Sequence, residues 1–471
     1  MQSAILKPLR ITVALLFFLS TALLFSGLAS FLPVRVVRCI TWLQFIPSFL
    51  KFGTLVSISA AGFIIVIISA LLFGRVYCSF ICPLGILQDV FIRASAILRK
   101  KPNTYKRPIH AISFSILGIC ILPVFFHNIF FLNLLDPFGL SGKIFAFMRG
   151  SAMLSLGLLF FFALLSFVKN RWYCNVICPV GIFLGLLSRI SFLRISIDGG
   201  RCGVCGTCEG VCKANCIDFR EHRLDFDRCV GCMNCLDSCP EKAIGYRVHW
   251  KKSITASENN VSVVDSSRRN FIKTAAGGMA TLAGLMAPPR LFAEAGPLPE
   301  MHPVMPPGAI SVWHFTQKCT ACQLCISSCP THVLQPSFFE YGLSGLFQPK
   351  MDFKRAYCKY DCTRCLEVCP TGAIQLSELK EKQLIQIGIA IFEKNQCLVV
   401  EKQIPCAKCA EHCPAKAIDL QPYLGDLKIP EVNIKLCNGC GACEFICPVK
   451  PDKAIYVEAS AYQRRLVTVE Q

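Results

Sequence analysis

Long runs of hydrophobic residues dominate the first part of the chain. Four of them, at residues 11–32, 52–73, 109–135 and 150–168, contain no Lys, Arg, Asp or Glu. About 20 apolar residues in a helix are enough to cross a bilayer. The pattern therefore predicts an α-helical membrane domain with four transmembrane helices over residues 1–195.

Basic residues between the predicted spans indicate how this domain is oriented. Loops rich in Lys and Arg stay in the cytoplasm. The loop between the second and third spans contains Arg75, Arg93, Arg99, Lys100, Lys101, Lys106 and Arg107. We therefore expect this loop and both ends of the domain on the cytoplasmic side of a bacterial inner membrane, which the chain crosses several times.

The membrane domain contains an internal repeat. Residues 75–86 read RVYCSFICPLGI, and residues 171–182 read RWYCNVICPVGI. The repeated cysteines are Cys78, Cys82, Cys174 and Cys178. Thiols four positions apart share one face of a helix, so each repeat presents a matched pair. Two interpretations stay open: an additional metal or redox site shared by the repeats, or a helix-ending Cys-Pro motif that was duplicated with its span.

The chain has 31 cysteines, which leaves a disulfide scaffold or a metal-cluster protein as explanations. Disulfide scaffolds are typically short and secreted, whereas most cysteines here stand in regular groups of four, as 4Fe-4S ligands do. A mean hydropathy of +0.50 agrees with membrane spans. Cys39 and Cys120 are isolated, and we expect them to act as small hydrophobic residues.

The formal charge of +19 lies largely beside the hydrophobic spans, where it sets topology. No nucleic-acid-binding motif accompanies it, so we expect no nucleic-acid partner. The sequence has no CxxCH for covalent haem and no GxGxxG after a strand for a nucleotide or flavin.

The first cysteine block, residues 196–250, predicts a cytoplasmic domain with two clusters. In two-cluster ferredoxins, three closely spaced cysteines bind one cluster and the fourth cysteine of each run binds the other. The predicted ligand sets are Cys202, Cys205, Cys208 with Cys239, and Cys229, Cys232, Cys235 with Cys212. Lys213 replaces the usual proline after Cys212, and Cys216 is an alternative distal ligand. Structural zinc takes two separated pairs, so this spacing disfavours it.

A polar linker, residues 251–266, leads to a pattern typical of bacterial export signals. Residues 267–273 read SRRNFIK, followed by a Gly/Ala-rich apolar stretch and an Ala-Glu-Ala site at residues 293–295. Such a pattern predicts a twin-arginine signal or anchor over residues 267–295. Twin-arginine export carries folded proteins, which suits a domain that takes up clusters in the cytoplasm. Residues 296–471 are therefore expected in the periplasm.

This C-terminal segment contains sixteen cysteines in four groups that each end in Cys-Pro, which predicts four more clusters and six in total. We expect α+β bacterial ferredoxin-like folds. Our hypothesis is a nested arrangement, in which the first group exchanges its last cysteine with the fourth and the second group with the third. The ligand sets would be Cys319, Cys322, Cys325 with Cys447; Cys437, Cys440, Cys443 with Cys329; Cys358, Cys362, Cys365 with Cys413; and Cys397, Cys406, Cys409 with Cys369.

Both halves resemble known families. The four spans, the two Cys-x-x-x-Cys-Pro motifs and the two-cluster tail of residues 1–250 resemble NapH-type membrane quinol dehydrogenase ferredoxins and their NosR/polyferredoxin relatives. SRRNFIK, the PPGA segment at residues 306–309 and the four cysteine groups of residues 265–471 resemble NapG/MauM-type periplasmic ferredoxins. The chain looks like a fusion of the two, with an export signal that is normally N-terminal placed internally.

The resemblance implies that the chain takes electrons from menaquinol or ubiquinol. It implies delivery to a periplasmic redox partner, such as a cytochrome or a molybdenum enzyme of the nitrate reductase kind. His127 and Asp136 are candidates for a quinol site because ionisable groups at membrane depth are often functional; the alternative is that they are ordinary interfacial polar residues. A non-enzymatic accessory protein, which assembles or maintains a periplasmic metalloenzyme, is the rival interpretation. No acid–base or nucleophilic constellation stands out.

Overall fold

The computed structural model describes residues 2–27, 32–52, 61–99, 102–126, 128–146, 152–248, 303–375 and 377–466. The linker at 251–266, the twin-arginine segment at 267–295 and His127 lie outside the described residues. The chain forms two compact units. The first comprises Met1–Ala22, Ile40–Ile144 and Leu156–Ala295, and the second Leu23–Cys39, Phe145–Ser155 and Gly296–Gln471. Residues 1–195 and 196–250, which we predicted as separate domains, thus share the first unit over most of their length.

The described residues are mainly helical before residue 190 and mix short helices with strands after it. The helices are α1 Gln2–Phe25, α2 Val34–Trp42, α3 Phe45–Phe52, α4 Gly62–Phe73, α5 Tyr77–Phe80, α6 Pro83–Arg99, α7 His110–Phe125, α8 Phe130–Leu135, α9 Pro137–Phe145, α10 Ala152–Lys169, α11 Pro179–Ser188, α12 Thr207–Gly210, α13 Asn234–Ser238, α14 Val312–Lys318, α15 Leu324–Ser328, α16 Arg364–Val368, α17 Leu379–Gln383, α18 Leu398–Glu401, α19 Lys408–Glu411 and α20 Ala442–Ile446. A π-helical turn covers Tyr173–Ile177, and 3-10 turns cover Leu343–Gly345 and Lys394–Gln396.

Among the described residues, every sheet is an antiparallel pair of strands. The strands are β1 Leu193–Ile197, β2 Ile217–Asp218, β3 Arg223–Leu224, β4 Ile244–Val248, β5 Leu334–Pro336, β6 Pro349–Met351, β7 Ile385–Phe392, β8 Ile418–Pro422, β9 Lys428–Val432 and β10 Ile455–Arg465. The pairs are β1 with β4, β2 with β3, β5 with β6, β7 with β10 and β8 with β9. In the register of β1 with β4, Leu193 stands opposite Val248 and Ile197 opposite Ile244.

The prediction of four transmembrane helices is corrected to two candidates within the described residues. By length and composition, Leu6–Phe25 and Ala152–Lys169 are apolar enough to cross a membrane. Both helices present exposed apolar side chains, including Leu16 (69 % exposed) and Met153 (87 % exposed). They correspond to the first and fourth predicted spans.

The third predicted span, at residues 109–135, is wrong as a single helix. Helix α7 ends at Phe125, and α8 forms separately after it. Pro123 lies inside the last turn of α7, where it has no backbone N–H to donate and weakens the helix against the preceding turn. The described part of the second predicted span is α4, which has 12 residues.

The PPGA segment at residues 306–309 is fixed by one side chain of β10. The side-chain amide of Gln463 donates from Nε2 to the Pro306 carbonyl at 2.7 Å, and its Oε1 accepts from the Gly308 N–H at 2.8 Å. Gly308 has φ +86°, a conformation that disfavours larger residues. The motif therefore has a local structural role, joining the start of the C-terminal segment to its last strand.

Candidate metal centres

Six cysteine groups share one local architecture. In each, the third cysteine lies in a short helix: Cys208 in α12, Cys235 in α13, Cys325 in α15, Cys365 in α16, Cys409 in α19 and Cys443 in α20. In four groups the residue before that helix is left-handed, namely Gly206, Met233, Gln323 and Gly441. The two groups with stretched spacing have Thr363 (φ −117°) and Ala407 (φ −125°) there instead. The turn and the short helix thus bring the first three thiols of each group close together.

The four groups of the C-terminal segment pair in sequence order, so the nested hypothesis is wrong. One hollow is lined by Cys397, Cys406, Cys409 and Cys447, a second by Cys329, Cys358, Cys362 and Cys365, and a third by Cys413, Cys437, Cys440 and Cys443. Cys325 has Cys319, Cys322 and Cys369 as neighbours; burial raises the pKa of its thiol, and these three thiols raise it further. The first group therefore exchanges its last cysteine with the second, and the third with the fourth.

Hairpins explain this order. Strands β5 and β6 connect the first group to the second, and β8 and β9 connect the third to the fourth. Each hairpin returns the chain to its starting point, so the paired groups meet over a short loop. A nested pairing would close a longer loop between the first and fourth groups, at a larger cost in chain entropy.

The first cysteine block has the same plan, with β2 and β3 between its two runs. Cys202 and Cys205 are neighbours of Cys208; burial raises the pKa of Cys208 to about 11 and the two thiols add to this. Cys239 packs at the edge of the core that contains Cys208. A fourth hollow is lined by Cys212, Cys216, Cys229, Cys232 and Cys235.

Cys212 is the better placed of the two alternative distal ligands. Burial raises the pKa of both Cys232 and Cys235, and Cys212 is a neighbour that raises each of them further. Cys216 instead lies 3.6 Å from Cys212, sulfur to sulfur, and bonds to Cys229. The buried Cys216 thus packs against two proposed ligands, Cys212 and Cys229, without being one of the four.

We expect Cys216→Ala to leave the iron content of the purified chain unchanged, because Cys216 is a neighbour of the ligand set and not a member. Cys212→Ala should remove one cluster, about four iron atoms. Iron analysis of both variants measures this. Loss of iron in Cys216→Ala alone would assign Cys216 as the ligand.

The hollows fit the donor chemistry of 4Fe-4S clusters. Counted with the space open to solvent, they measure about 380, 340, 310 and 300 Å³, so they are of similar size. Among the described residues, no three His, Cys, Asp or Glu side chains converge to hold a single metal ion. Four thiols that line one hollow suit a cluster in which each thiolate binds its own iron. They do not suit one tetrahedral zinc ion.

A buried lysine stands against one of these groups. Lys382 is 3 % exposed, and its Nζ donates to the carbonyls of Lys359 (2.6 Å) and Tyr360 (3.1 Å). Burial raises the pKa of the Cys358 thiol to about 11, while the adjacent Lys382 lowers that pKa by its charge and a hydrogen bond. The ammonium group therefore stabilises negative charge on this sulfur.

We expect Lys382→Met to lower the reduction potential of the centre at Cys358, because a positive charge beside the sulfur favours the reduced state. Coulomb interaction over a few Å at an effective dielectric constant of about 20 gives a shift on the order of 100 mV. A redox titration followed by EPR measures it. The exposed Lys428 is a matched control, and Lys428→Met should move no midpoint.

The four repeated thiols of the helical region also come together. Cys78, Cys82, Cys174 and Cys178 are each 4 % exposed and lie within electrostatic reach of one another. The prediction that each pair shares one helical face is wrong. Cys78 lies in α5 and Cys174 in the π-helical turn, whereas Cys82 and Cys178 follow these turns and precede Pro83 and Pro179, which begin α6 and α11.

A glycine after each Cys-Pro allows the turn to close. An ideal Cβ on Gly85 would lie 2.2 Å from the Cys78 carbonyl oxygen, and one on Gly181 would lie 2.2 Å from that of Cys174. Any side chain at either position would push the two halves of the motif apart. The repeat is therefore preserved in detailed geometry as well as in sequence.

Asp136, one of the two predicted quinol-site residues, has a structural role. It is 1 % exposed, and its carboxylate accepts hydrogen bonds from the backbone N–H groups of Phe138 (3.2 Å) and Gly139 (2.9 Å), at the start of α9. The alternative interpretation of an ordinary polar residue accounts for these contacts. Its predicted partner, His127, lies outside the described residues.

A further cavity among the described residues lies in the first unit, between the helices and the first cysteine block. It measures about 890 Å³ with its open space. Its walls include His110, Phe114, Trp172, Asn175 and Asp227, together with the basic residues Arg75, Lys106, Arg107, Lys169, Arg189 and Arg228. His110 Nε2 lies 3.9 Å from an Asp227 oxygen, and Arg189 pairs with the same carboxylate at 2.8 Å. Sequence reasoning missed this cavity because its residues come from four distant segments.

Family models of 4Fe-4S domains match all of the cysteine groups except the run from Cys202 to Cys212, which lies outside the matched residues. A 4Fe-4S binding domain matches residues 57–104 and 151–197, another 4Fe-4S binding domain matches residues 222–245, and a 4Fe-4S dicluster domain matches residues 318–373 and 404–450. The two dicluster matches enclose the tandem pairs of groups, except for Cys397. No solved structure matches the chain.

Three relatives are ferredoxin-type proteins. NapF of Escherichia coli is 32 % identical over 157 residues, which cover 33 % of this chain and 87 % of NapF. NapG of Escherichia coli is 26 % identical over 194 residues, 39 % of this chain and 81 % of NapG. NapF of Haemophilus influenzae is 31 % identical over 146 residues, 31 % of this chain and 75 % of that protein.

Proposed function

Because this chain belongs to the family of ferredoxin-type proteins that includes NapF, we propose that it is a membrane-bound electron carrier with six 4Fe-4S clusters. In this proposal it takes electrons from menaquinol or ubiquinol and delivers them to a periplasmic reductase of the nitrate reductase kind. The observation that carries the proposal is the gathering of cysteines into groups of four around similar hollows. Bound 4Fe-4S clusters supply one-electron transfer.

The proposed ligand sets follow the tandem pairing. In the first block they are Cys202, Cys205, Cys208 with Cys239, and Cys229, Cys232, Cys235 with Cys212. In the C-terminal segment they are Cys319, Cys322, Cys325 with Cys369; Cys358, Cys362, Cys365 with Cys329; Cys397, Cys406, Cys409 with Cys447; and Cys437, Cys440, Cys443 with Cys413. Burial raises the pKa of several of these thiols, among them Cys325, Cys365 and Cys443, so cluster uptake must displace protons from them.

The proposed location is the bacterial inner membrane. Exposed apolar side chains on α1 and α10 support it, because such surfaces are stable against lipid and not against water. The basic loop after α4 supports a cytoplasmic first cysteine block. The twin-arginine pattern at residues 267–295 supports export of the C-terminal segment, so that the chain combines a NapH-type and a NapG-type protein.

We propose that quinol binds in the large cavity beside the first cysteine block. The aromatic walls formed by Phe114 and Trp172 suit a quinone ring, and His110 is placed to accept a proton released on oxidation, with Asp227 behind it. Asp227 and Arg228 directly precede Cys229, so the cavity reaches a proposed cluster ligand along the chain.

We expect His110→Ala to slow quinol-driven reduction of the clusters about 100-fold or more, the usual contribution of a general base. Reduction by dithionite should keep its rate, because that reagent does not use the cavity. Stopped-flow absorbance measures both rates. His412→Ala, at an exposed histidine of the C-terminal segment, is the control and should change neither. If quinol reduces the clusters of the unsubstituted chain, His110→Ala and His412→Ala at the same rate, quinol does not bind in this cavity.

One experiment separates the carrier from the rival accessory protein. Reduced menaquinol is added to the anaerobically purified chain in detergent, and the cluster absorbance is followed. A carrier bleaches, and reoxidises when an electron acceptor is added. An accessory protein whose clusters are structural shows no bleaching, and that result would overturn the quinol dehydrogenase function.

A further inference from the structure

The two halves of the repeat in the first unit exchange a pair of buried arginines. Arg75 of the first repeat donates to the Cys174 carbonyl at 2.7 Å, and Arg171 of the second donates to the Cys78 carbonyl at 2.9 Å. Both arginines are 1 % exposed. The first cysteine of each motif is thus held by the arginine of the other, so the four thiols surround a local pseudo-twofold axis.

Positive charge around these thiols exceeds negative charge. Arg10, Arg171 and Lys213 all pair with one carboxylate, Asp89, at 3.2, 2.7 and 3.2 Å. Arg75 bonds only to the carbonyls of Cys174 and Asp227 and to the amide of Asn175, and its Nε is buried without a partner. Among the described residues, Asp89 therefore balances three cations, and Arg75 is a fourth that pairs with no carboxylate.

Buried charges in proteins are paired or bind metals, because an isolated ion is costly away from water. Neutral thiols, or the disulfides they would form, supply no negative charge to balance this excess. Four thiolates around an iron–sulfide core carry a net negative charge and would balance it. The cationic surroundings thus favour the ligated form of these cysteines.

Two backbone N–H groups and one side-chain amide are placed to donate hydrogen bonds to these cysteine sulfurs, as thiolates require. The Gly181 N–H donates to Cys178 Sγ at 3.4 Å, and the Gly85 N–H bonds to Cys82 in the same way. The Gln88 side chain is 0 % exposed; its Oε1 lies 2.9 Å from Cys174 Sγ, while its Nε2 has no partner. If the Gln88 amide is turned over, its Nε2–H points at the Cys174 sulfur. The amide then donates a hydrogen bond to that sulfur once it is a thiolate.

The thiols adjoin the first cysteine block. Ser79, next to Cys78, donates to the Val230 carbonyl at 2.7 Å, and Arg75 donates to the Asp227 carbonyl at 2.9 Å. Both carbonyls flank Cys229, a proposed cluster ligand. A redox centre at the repeat would therefore be linked by one hydrogen bond to the chain beside Cys229, a ligand of the second proposed cluster of the first cysteine block.

We propose that Cys78, Cys82, Cys174 and Cys178 together ligate one 4Fe-4S cluster that the two repeats share. Each match to a 4Fe-4S binding domain contains two of these cysteines, which is half of a four-thiolate set. The centre gains one electron from a donor and gives one to the centre at Cys229, with no bond made or broken. The identity of the donor as quinol rests on the proposed function; the ligation does not.

Iron analysis of single and double variants tests the sharing. Cys78→Ala and Cys174→Ala should each remove about four iron atoms and four sulfides per chain. The double variant should remove no more than either single one, because both residues hold the same cluster. Cys120→Ala, at a buried thiol of α7 outside the group, is the matched control and should remove none.

A second variant keeps all four thiols, so that it tests the centre without unfolding it. Gln88→Met removes the amide donor beside Cys174, and we expect one EPR-detected midpoint to move to lower potential with the iron content unchanged. Unchanged iron in the cysteine variants, zinc in place of iron, or midpoints that all stay fixed in Gln88→Met would overturn the shared cluster. If these tests give the expected results but quinol does not bleach the cluster absorbance, the proposed function is wrong and the shared cluster is still supported.

Discussion

Combining Cys397→Ala with Cys447→Ala should remove no more iron than either substitution alone, about four atoms per chain. The two cysteines line one hollow together with Cys406 and Cys409, so they hold the same cluster. Once the first substitution has removed that cluster, the second has nothing further to remove. Iron and sulfide analysis of the two single variants and the double variant measures this.

The matched comparison is Cys319→Ala combined with Cys447→Ala. Cys319 stands with Cys325 and Cys369, away from the hollow at Cys447, so the combined loss should be about eight iron atoms. A nested pairing predicts the reverse: about eight for Cys397 with Cys447 and about four for Cys319 with Cys447. The two double variants therefore decide the order of pairing even if each substitution also lowers stability.

The second large effect concerns Asp89. This carboxylate is 8 % exposed and pairs with Arg10, Arg171 and Lys213. Asp89→Asn would leave three cations without an anion, and breaking a buried pair in this way costs about 3–5 kcal/mol. We expect the free energy of unfolding of the first unit to fall by that amount, measured by chemical denaturation of the full chain in detergent.

Asp198→Asn is the control for Asp89. Asp198 also pairs with two arginines, Arg201 and Arg247, but these pairs lie at the surface, where solvent screens them. We expect no measurable change in the unfolding transition. Equal effects of the two substitutions would show that the Asp89 network is not a buried one.

The cysteine spacing was enough to predict the iron–sulfur domains, because a cluster constrains its ligands within a few residues of one another. The pairing of the C-terminal groups could not be predicted in this way. It depends on the hairpins β5–β6 and β8–β9, whose strands are only three to five residues long and give a weak periodic signal. The last cysteines of all four groups, Cys329, Cys369, Cys413 and Cys447, were therefore assigned to the wrong centres.

The helical region shows a different limit. Hydrophobicity identified the helices at Leu6–Phe25 and Ala152–Lys169, but a run of apolar residues does not show where a helix breaks. Pro123 lies in the last turn of α7, and Pro83 and Pro179 begin new helices after Cys82 and Cys178. These prolines were visible in the sequence, and their effect on helix continuity was the available signal.

The exchange of arginines between the repeats also had a sequence signal. Arg75 and Arg171 each stand three residues before the first cysteine of the motif. The charge of Arg75 was interpreted as part of the topology signal, whereas both side chains are buried. Lys213, noted only as a replacement for proline, pairs with Asp89 and joins the first cysteine block to α6. Contacts between residues so distant in sequence become visible only in the folded chain.

The iron and acid-labile sulfide content of the anaerobically purified protein tests most directly whether this chain holds a set of ferredoxin-type clusters. Six clusters require about 24 iron atoms and about 24 sulfides per chain, and the shared centre at the repeats raises both to about 28. We expect a value in this range for both elements. Eight or fewer iron atoms in the fully loaded protein, or zinc in their place, would contradict it.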